Sequence, residues 1–180
     1  NGFQDTVFQN VVVHPKPRIA FTTANVCQAD SASFINTSQI PGGLIQGWQW
    51  DFGDQSSSRR KAPRHLYQQY GRYQVQLIGT SDQGCRDTAS RPLVVYPMPV
   101  PDFTVPRICF QDSASFTNHS RIAQGRIVDY AWTLGDGDSS SQANPAHYYA
   151  RADTYQVQLQ VRSDSGCISD TQKLLIVDPK

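Results

Sequence analysis

The side chains best able to do chemistry come in matched sets. Asp54 is followed eleven residues later by His65, and Asp136 by His147. A carboxylate beside an imidazole is half of a hydrolytic site, but catalysis also needs a nucleophile or a second positioned carboxylate in a cleft. The sequence offers no such constellation, so both pairs are expected to lock turns, with Gly53 and Gly135 beside them. Asp136-Gly137-Asp138-Ser139 has two acids of a calcium loop without the spaced ligands or closing Glu of an EF-hand, and turn chemistry is again the expectation. No metal, cofactor or catalytic activity is expected. Four cysteines, Cys27, Cys85, Cys109 and Cys167, could form disulfides. Trp48 and Tyr130 are aromatic rings that could stack on a sugar.

The sets match because the chain repeats. A shift of 82 residues aligns Cys27 with Cys109, Trp50 with Trp132, Tyr73 with Tyr155 and Cys85 with Cys167 without a gap, and 33 of 81 positions are identical between 18–98 and 100–180. One module is therefore present twice, at 16–97 and 98–180. Val11-Val12-Val13-His14-Pro15 precedes Leu93-Val94-Val95-Tyr96-Pro97 by the same shift, so residues 1–15 read as the last strand of an earlier repeat, with Phe3 in the cysteine slot.

The elements that position these residues are strands. Tyr73, Val75 and Leu77 alternate with Gln74 and Gln76, and Tyr155, Val157 and Leu159 do the same, the period of a strand with one buried face. Ala20 to Thr22, Ala32 to Asn36, Gly47 to Phe52 and Leu93 to Tyr96 read similarly between Gly, Pro, Ser and Asn clusters. Short strands with one apolar face need a second sheet, which predicts an all-β chain of two β-sandwiches, about seven strands each. Trp50 and Trp132 fall in phase with the core. Charged residues are 17% of the chain and the net charge is +1, so there is no basic field for nucleic acid. The apolar runs are far shorter than the ~20 residues of a membrane-spanning helix.

Gly71-Arg72-Tyr73-Gln74-Val75 resembles the start of strand F in immunoglobulin-like domains, where a Tyr anchors the corner. More specifically, Trp50-Asp51-Phe52-Gly53-Asp54, then Pro63-Arg64-His65-Leu66-Tyr67 and Gly71-Arg72-Tyr73-Gln74-Val75, resembles the PKD (polycystic kidney disease) domain. The second repeat matches through Trp132-Thr133-Leu134-Gly135-Asp136-Gly137, Pro145-Ala146-His147-Tyr148-Tyr149 and Tyr155-Gln156-Val157. Departures are Gln55 for the last Gly, Leu134 for Phe and Asp153 for Gly. The resemblance implies tandem immunoglobulin-like sandwiches of the cysteine-containing type found in large bacterial surface and secreted proteins, hence an exported, extracellular setting.

Two cysteines per repeat predict one disulfide per module, Cys27 with Cys85 and Cys109 with Cys167, although four cysteines allow three pairings. In a simple immunoglobulin-like order the two turns lie at opposite ends, so this pairing requires the first strand to bend or cross over; free or otherwise paired thiols stay open. Asn36-Thr37-Ser38 and Asn118-His119-Ser120 satisfy the glycosylation pattern and equally suit turn caps, the preferred reading. Arg59-Arg60-Lys61 reads as a solvated loop. Trp48 shares the core face of Trp50, which favours a structural role for it and for Tyr130. Two functions remain. One is a monomeric, non-catalytic spacer in a surface adhesin or secreted protein, its partners the neighbouring repeats and its modules joined stiffly through Pro97-Met98-Pro99-Val100-Pro101. The other is a carbohydrate- or protein-binding accessory module of a secreted enzyme.

Overall fold

The computed structural model describes residues 7–180 and contains no helix among them. The first repeat holds β1 (Phe21–Thr22), β2 (Val26–Cys27), β3 (Ser31–Ser33), β4 (Ile35–Asn36), β5 (Ile45–Asp51), β6 (Ser57–Ser58), β7 (Arg64–Leu66), β8 (Gly71–Ser81) and β9 (Arg86–Tyr96). The second holds β10 (Phe103–Thr104), β11 (Ile108–Cys109), β12 (Ser113–Ser115), β13 (Thr117–Asn118), β14 (Ile127–Thr133), β15 (Ser139–Ser140), β16 (Ala146–Tyr148), β17 (Thr154–Ser163) and β18 (Ile168–Asp178). Each repeat has a five-stranded sheet, β2-β9-β8-β5-β6 or β11-β18-β17-β14-β15, opposed by the short pairs β1-β4 and β3-β7 or β10-β13 and β12-β16. These are two β-sandwich domains. The nine segments reduce to the seven expected strands once β1 with β2, and β3 with β4, are each counted as one interrupted strand.

The interruptions have local causes. β3 and β4 part at Phe34, whose N–H donates to the Pro63 carbonyl instead of continuing one ladder. β1 and β2 part because the first strand changes sheets: β1 runs antiparallel to β4, whereas β2 runs parallel to β9, with Cys27 opposite Tyr96. The second repeat repeats the switch, with Cys109 opposite Asp178.

By packing, the chain divides into two compact units that do not follow the repeat boundaries. One takes Ala32–His65 and Tyr73–Leu93 with the stretch through Ala24; the other takes Asn25–Ser31, Leu66–Arg72 and Val94–Lys180. Inside the first, Trp50 is fully buried and meets Phe21 edge-on at 4.9 Å and 74°. Inside the second, Trp132 meets Phe103 at the same distance and angle, backed by Phe116, Val157, Leu159 and Leu175. Edge-to-face packing suits the ring quadrupoles and adds to the area buried. The stretch 7–17 forms no strand, and Val11, Val12 and Val13 are exposed. A strand needs a hydrogen-bonding neighbour, and this stretch pairs with none; the rest of the N-terminal segment expected to be a strand, residues 1–6, lies outside the described residues.

One packing exchange separates the two cores. A Cβ on Gly79 would lie 2.2 Å from Ile19 Cδ1 and 3.3 Å from the Trp48 ring, so the missing side chain makes room for both. In the second repeat the same three places hold Val161, Pro101 and Tyr130, a larger strand residue facing smaller neighbours. Gly79→Val is expected to destabilise the chain by about 1 to 3 kcal/mol by overpacking. Adding Ile19→Ala and Trp48→Tyr should recover part of that loss; urea denaturation giving no difference between the single and triple variants would contradict the exchange.

Candidate functional site

The repeated Asp–His pair sits where β5 leaves the sandwich. Gly53 takes φ 81° and Gly135 takes φ 90°, and a Cβ on either would come within 3 Å of the carbonyl oxygen of Gln74 or Gln156. Only glycine fits there. The following carboxylate then folds back on its own turn: Asp54 Oδ1 accepts the Ser56 N–H at 3.1 Å, and Asp136 Oδ1 accepts the Asp138 N–H at 3.1 Å. The other oxygen meets the imidazole, Asp54 Oδ2 to His65 Nε2 at 2.6 Å and Asp136 Oδ2 to His147 Nε2 at 2.6 Å. The His65 ring also stacks on Phe52 at 4.2 Å.

In the first repeat a serine completes a triad in composition but not in wiring. The Ser56 hydroxyl bonds to Asp54 and lies 3.1 Å from His65 Nε2. A proton relay places hydroxyl and carboxylate on opposite ring nitrogens. Here both act on Nε2, so the histidine cannot pass a proton from one to the other. The second repeat puts Asp138 in place of Ser56, with Oδ2 3.8 Å from His147 Nε2. Asp136, Asp138 and His147 could supply three metal-type ligand atoms within 4.8 Å. The short Asp136–His147 bond already satisfies two of those atoms.

Burial is the largest influence on the Asp54 carboxyl and raises its pKa. Hydrogen bonds from Ser56 and His65 together outweigh it and hold the group below the usual carboxylate range. Asp136 shows the same balance, with His147 and the Asp138 backbone doing the lowering. Beneath it, the buried Tyr149 hydroxyl donates to the Leu134 carbonyl at 2.8 Å. Burial first, and the nearby Asp136 charge second, push that phenol well above its ordinary range.

Other motif residues also bond within the fold. Tyr155 Oη donates to the Arg151 carbonyl, four residues upstream, at 3.0 Å. Asn36 Oδ1 accepts the Ser38 N–H, and Ser38 Oγ bonds both backbone groups of Ala20; Asn118 and Ser120 form the same cap against Asp102. Trp48 and Tyr130 are half-buried, on the core face of β5 and β14. Sequence reading missed the anchor of the neighbouring loop. Trp50 Nε1–H donates to the Arg60 carbonyl and Trp132 Nε1–H to the Gln142 carbonyl, at 2.9 and 2.8 Å. The acceptors are backbone atoms with no side-chain signature, and only the shared ten-residue spacing could have pointed to them.

The cysteines depart from the expected pairing. Cys27 is bonded to Cys167, with Cα atoms 5.7 Å apart, while Cys85 and Cys109 are free thiols. The sheet switch of the first strand is the reason. In the second repeat it sets Cys109 opposite Asp178, the last residue of β18, whereas Cys167 precedes the first. Eleven residues of strand at ~3.3 Å each separate them by about 36 Å, far beyond the ~7 Å a disulfide can bridge.

The locked carboxylates set an acid limit. A carboxylate whose pKa is depressed by folding stabilises the fold above its unfolded value near ~3.9 and loses that contribution as pH falls through its folded value. Asp54→Asn is expected to cost about 1 to 3 kcal/mol at neutral pH. The gap from the parent should close below about pH 4 in urea titrations; a gap independent of pH would show that the charge is not what matters.

Comparison with known proteins gives the family. The PKD domain family matches twice, over residues 12–95 and 96–177. The pre-pro-metalloprotease PrtV of Vibrio cholerae is 31% identical over 135 residues, which is 74% of this chain and 15% of that protein. Collagenase ColQ1 of Bacillus cereus is 40% identical over 58 residues, 32% of this chain and 6% of that enzyme. The solved PKD1 domain of Vibrio anguillarum Epp is 34% identical and covers 46% of this chain and 96% of that one, with a TM-score of 0.44. The chain spans only a small fraction of the length of PrtV and ColQ1, and it belongs to the PKD domain family, of which it carries two copies in tandem.

Proposed function

We propose that the two modules are non-catalytic accessory domains of an exported protein, joined to a protein-degrading enzyme and holding it on its insoluble protein substrate. The observation that carries this reading is the pair of relatives, a metalloprotease and a collagenase, of which modules like these form a minor part. The geometry supports it from the other side: Asp54, Ser56 and His65 are consumed in one turn lock, wired against proton relay. Protein is favoured over carbohydrate because both relatives are named for acting on protein and because Trp48 and Tyr130 offer only partial ring faces. Co-sedimentation with collagen fibrils tests it. The chain is expected to pellet with the fibrils and Trp48→Ala to weaken the binding; no pelleting with fibrillar protein, alongside pelleting with chitin or cellulose, would move the ligand class to carbohydrate.

A second reading, a load-bearing spacer in a surface or secreted protein, is favoured by the Cys27–Cys167 bond. Tension applied at the chain ends passes through that bond and bypasses the residues between, a sequence separation of 140. Single-molecule pulling should find those residues inextensible when oxidised. Reduction should release up to roughly 480 Å of added length; equal lengths with and without reductant would remove the spacer argument.

A further inference from the structure

Cys85 and Cys109 are unpaired, yet each sits on the same scaffold as a cysteine that is bonded. The turn before β9 is held by the Ser81 N–H donating to the Cys85 carbonyl at 2.9 Å and the Cys85 N–H donating to Ser81 Oγ at 3.0 Å. The turn before β18 has the same two bonds between Ser163 and Cys167, at 2.9 and 3.1 Å. At the other site, the Gln28 N–H donates to Tyr96 and the Asp30 N–H to Cys27, with Ala29 at φ 74°. Phe110, Asp112 and Gln111 repeat this around Cys109, again at φ 74°. What differs is the cover: Cys167 is 1% exposed and Cys27 half-buried, whereas Cys85 is half-buried and Cys109 exposed.

We infer that the Cys27–Cys167 bond is one rung of a repeating ladder, in which the cysteine at the end of the first strand of each repeat bonds the cysteine before the last strand of the next. Cys109 is then the open half of a rung toward a following repeat of this pattern, and Cys85 the open half toward a preceding one. The partner is therefore another PKD module carrying the same cysteine pair, not a ligand or a metal. Each rung forms when two thiols give up two protons and two electrons to a disulfide oxidant, such as oxidised glutathione or a protein disulfide. A thiolate attacks the oxidant to give a mixed disulfide and release one reduced thiol, and the second cysteine attacks the protein sulfur of the mixed disulfide and releases the other. The inference is independent of what the modules bind.

The test extends the chain after Lys180 with a second copy of residues 98–180, oxidises it with glutathione and maps its disulfides without reduction. The expected map joins Cys27 to Cys167 and Cys109 to the added copy of Cys167, leaving Cys85 and the added copy of Cys109 to alkylate. Alkylation of Cys109, or a bond from Cys109 to Cys85, overturns the ladder. A companion experiment needs no added module. Cys27→Ser in the 180-residue chain should leave Cys109 and Cys167 both alkylated, and a bond between those two would overturn the rule equally.

Discussion

Each module depends on one constraint: its first strand cannot stay in one sheet. β1 and β10 begin on the small sheet against β4 and β13, and within a few residues the chain crosses to run parallel to β9 or β18. The crossing lets one short strand cover the edges of both sheets, which limits exposed ladder groups. It also carries the cysteine at its end to the far end of the last strand, away from the turn that holds the other cysteine of the same repeat. The covalent chemistry of the chain follows from that displacement. A module built this way offers one thiol at each end, and the bond it can make is to a neighbour.

The Asp–His turn illustrates the opposite use of reactive groups. A glycine that tolerates no Cβ lets the chain double back, the aspartate caps its own turn, and the histidine from β7 or β16 closes over it. Both oxygens of the carboxylate are engaged inside the fold. The two copies differ at the third partner, Ser56 or Asp138, at the turn residue before it, Gln55 or Gly137, and at the residue before the glycine, Phe52 stacked on His65 in one and Leu134 in the other. Such a lock tolerates substitution because its essential parts are a backbone shape and one charge-assisted bond.

The Cys27–Cys167 bond closes a loop large enough to be worth roughly 5 kcal/mol in the chain-entropy model, on the scale of a whole domain's stability. It spans two sequence repeats, and the compact units do not coincide with those repeats either. The natural unit of this protein is thus different at different levels: 82 residues for sequence and sandwich, and more than one repeat for covalent structure.

Most of the fold was legible in the residues. Alternation in Tyr73-Gln74-Val75-Gln76-Leu77, the phase of Trp50 and Trp132 and the 82-residue shift determine strands, core face and module count, because each is a local consequence of the period of a pleated strand. The turn role of Asp54 and Asp136 was equally readable, since a short carboxylate after glycine acts on atoms two residues away. Three things were decided by tertiary structure alone. The indole anchors on Arg60 and Gln142 use carbonyl oxygens that every residue has. The harmless wiring of Ser56, Asp54 and His65 depends on which ring nitrogen each group reaches. The pairing of Cys27 with Cys167 depends on a change of sheet over a few residues of backbone, and cysteine spacing carries no record of the path between.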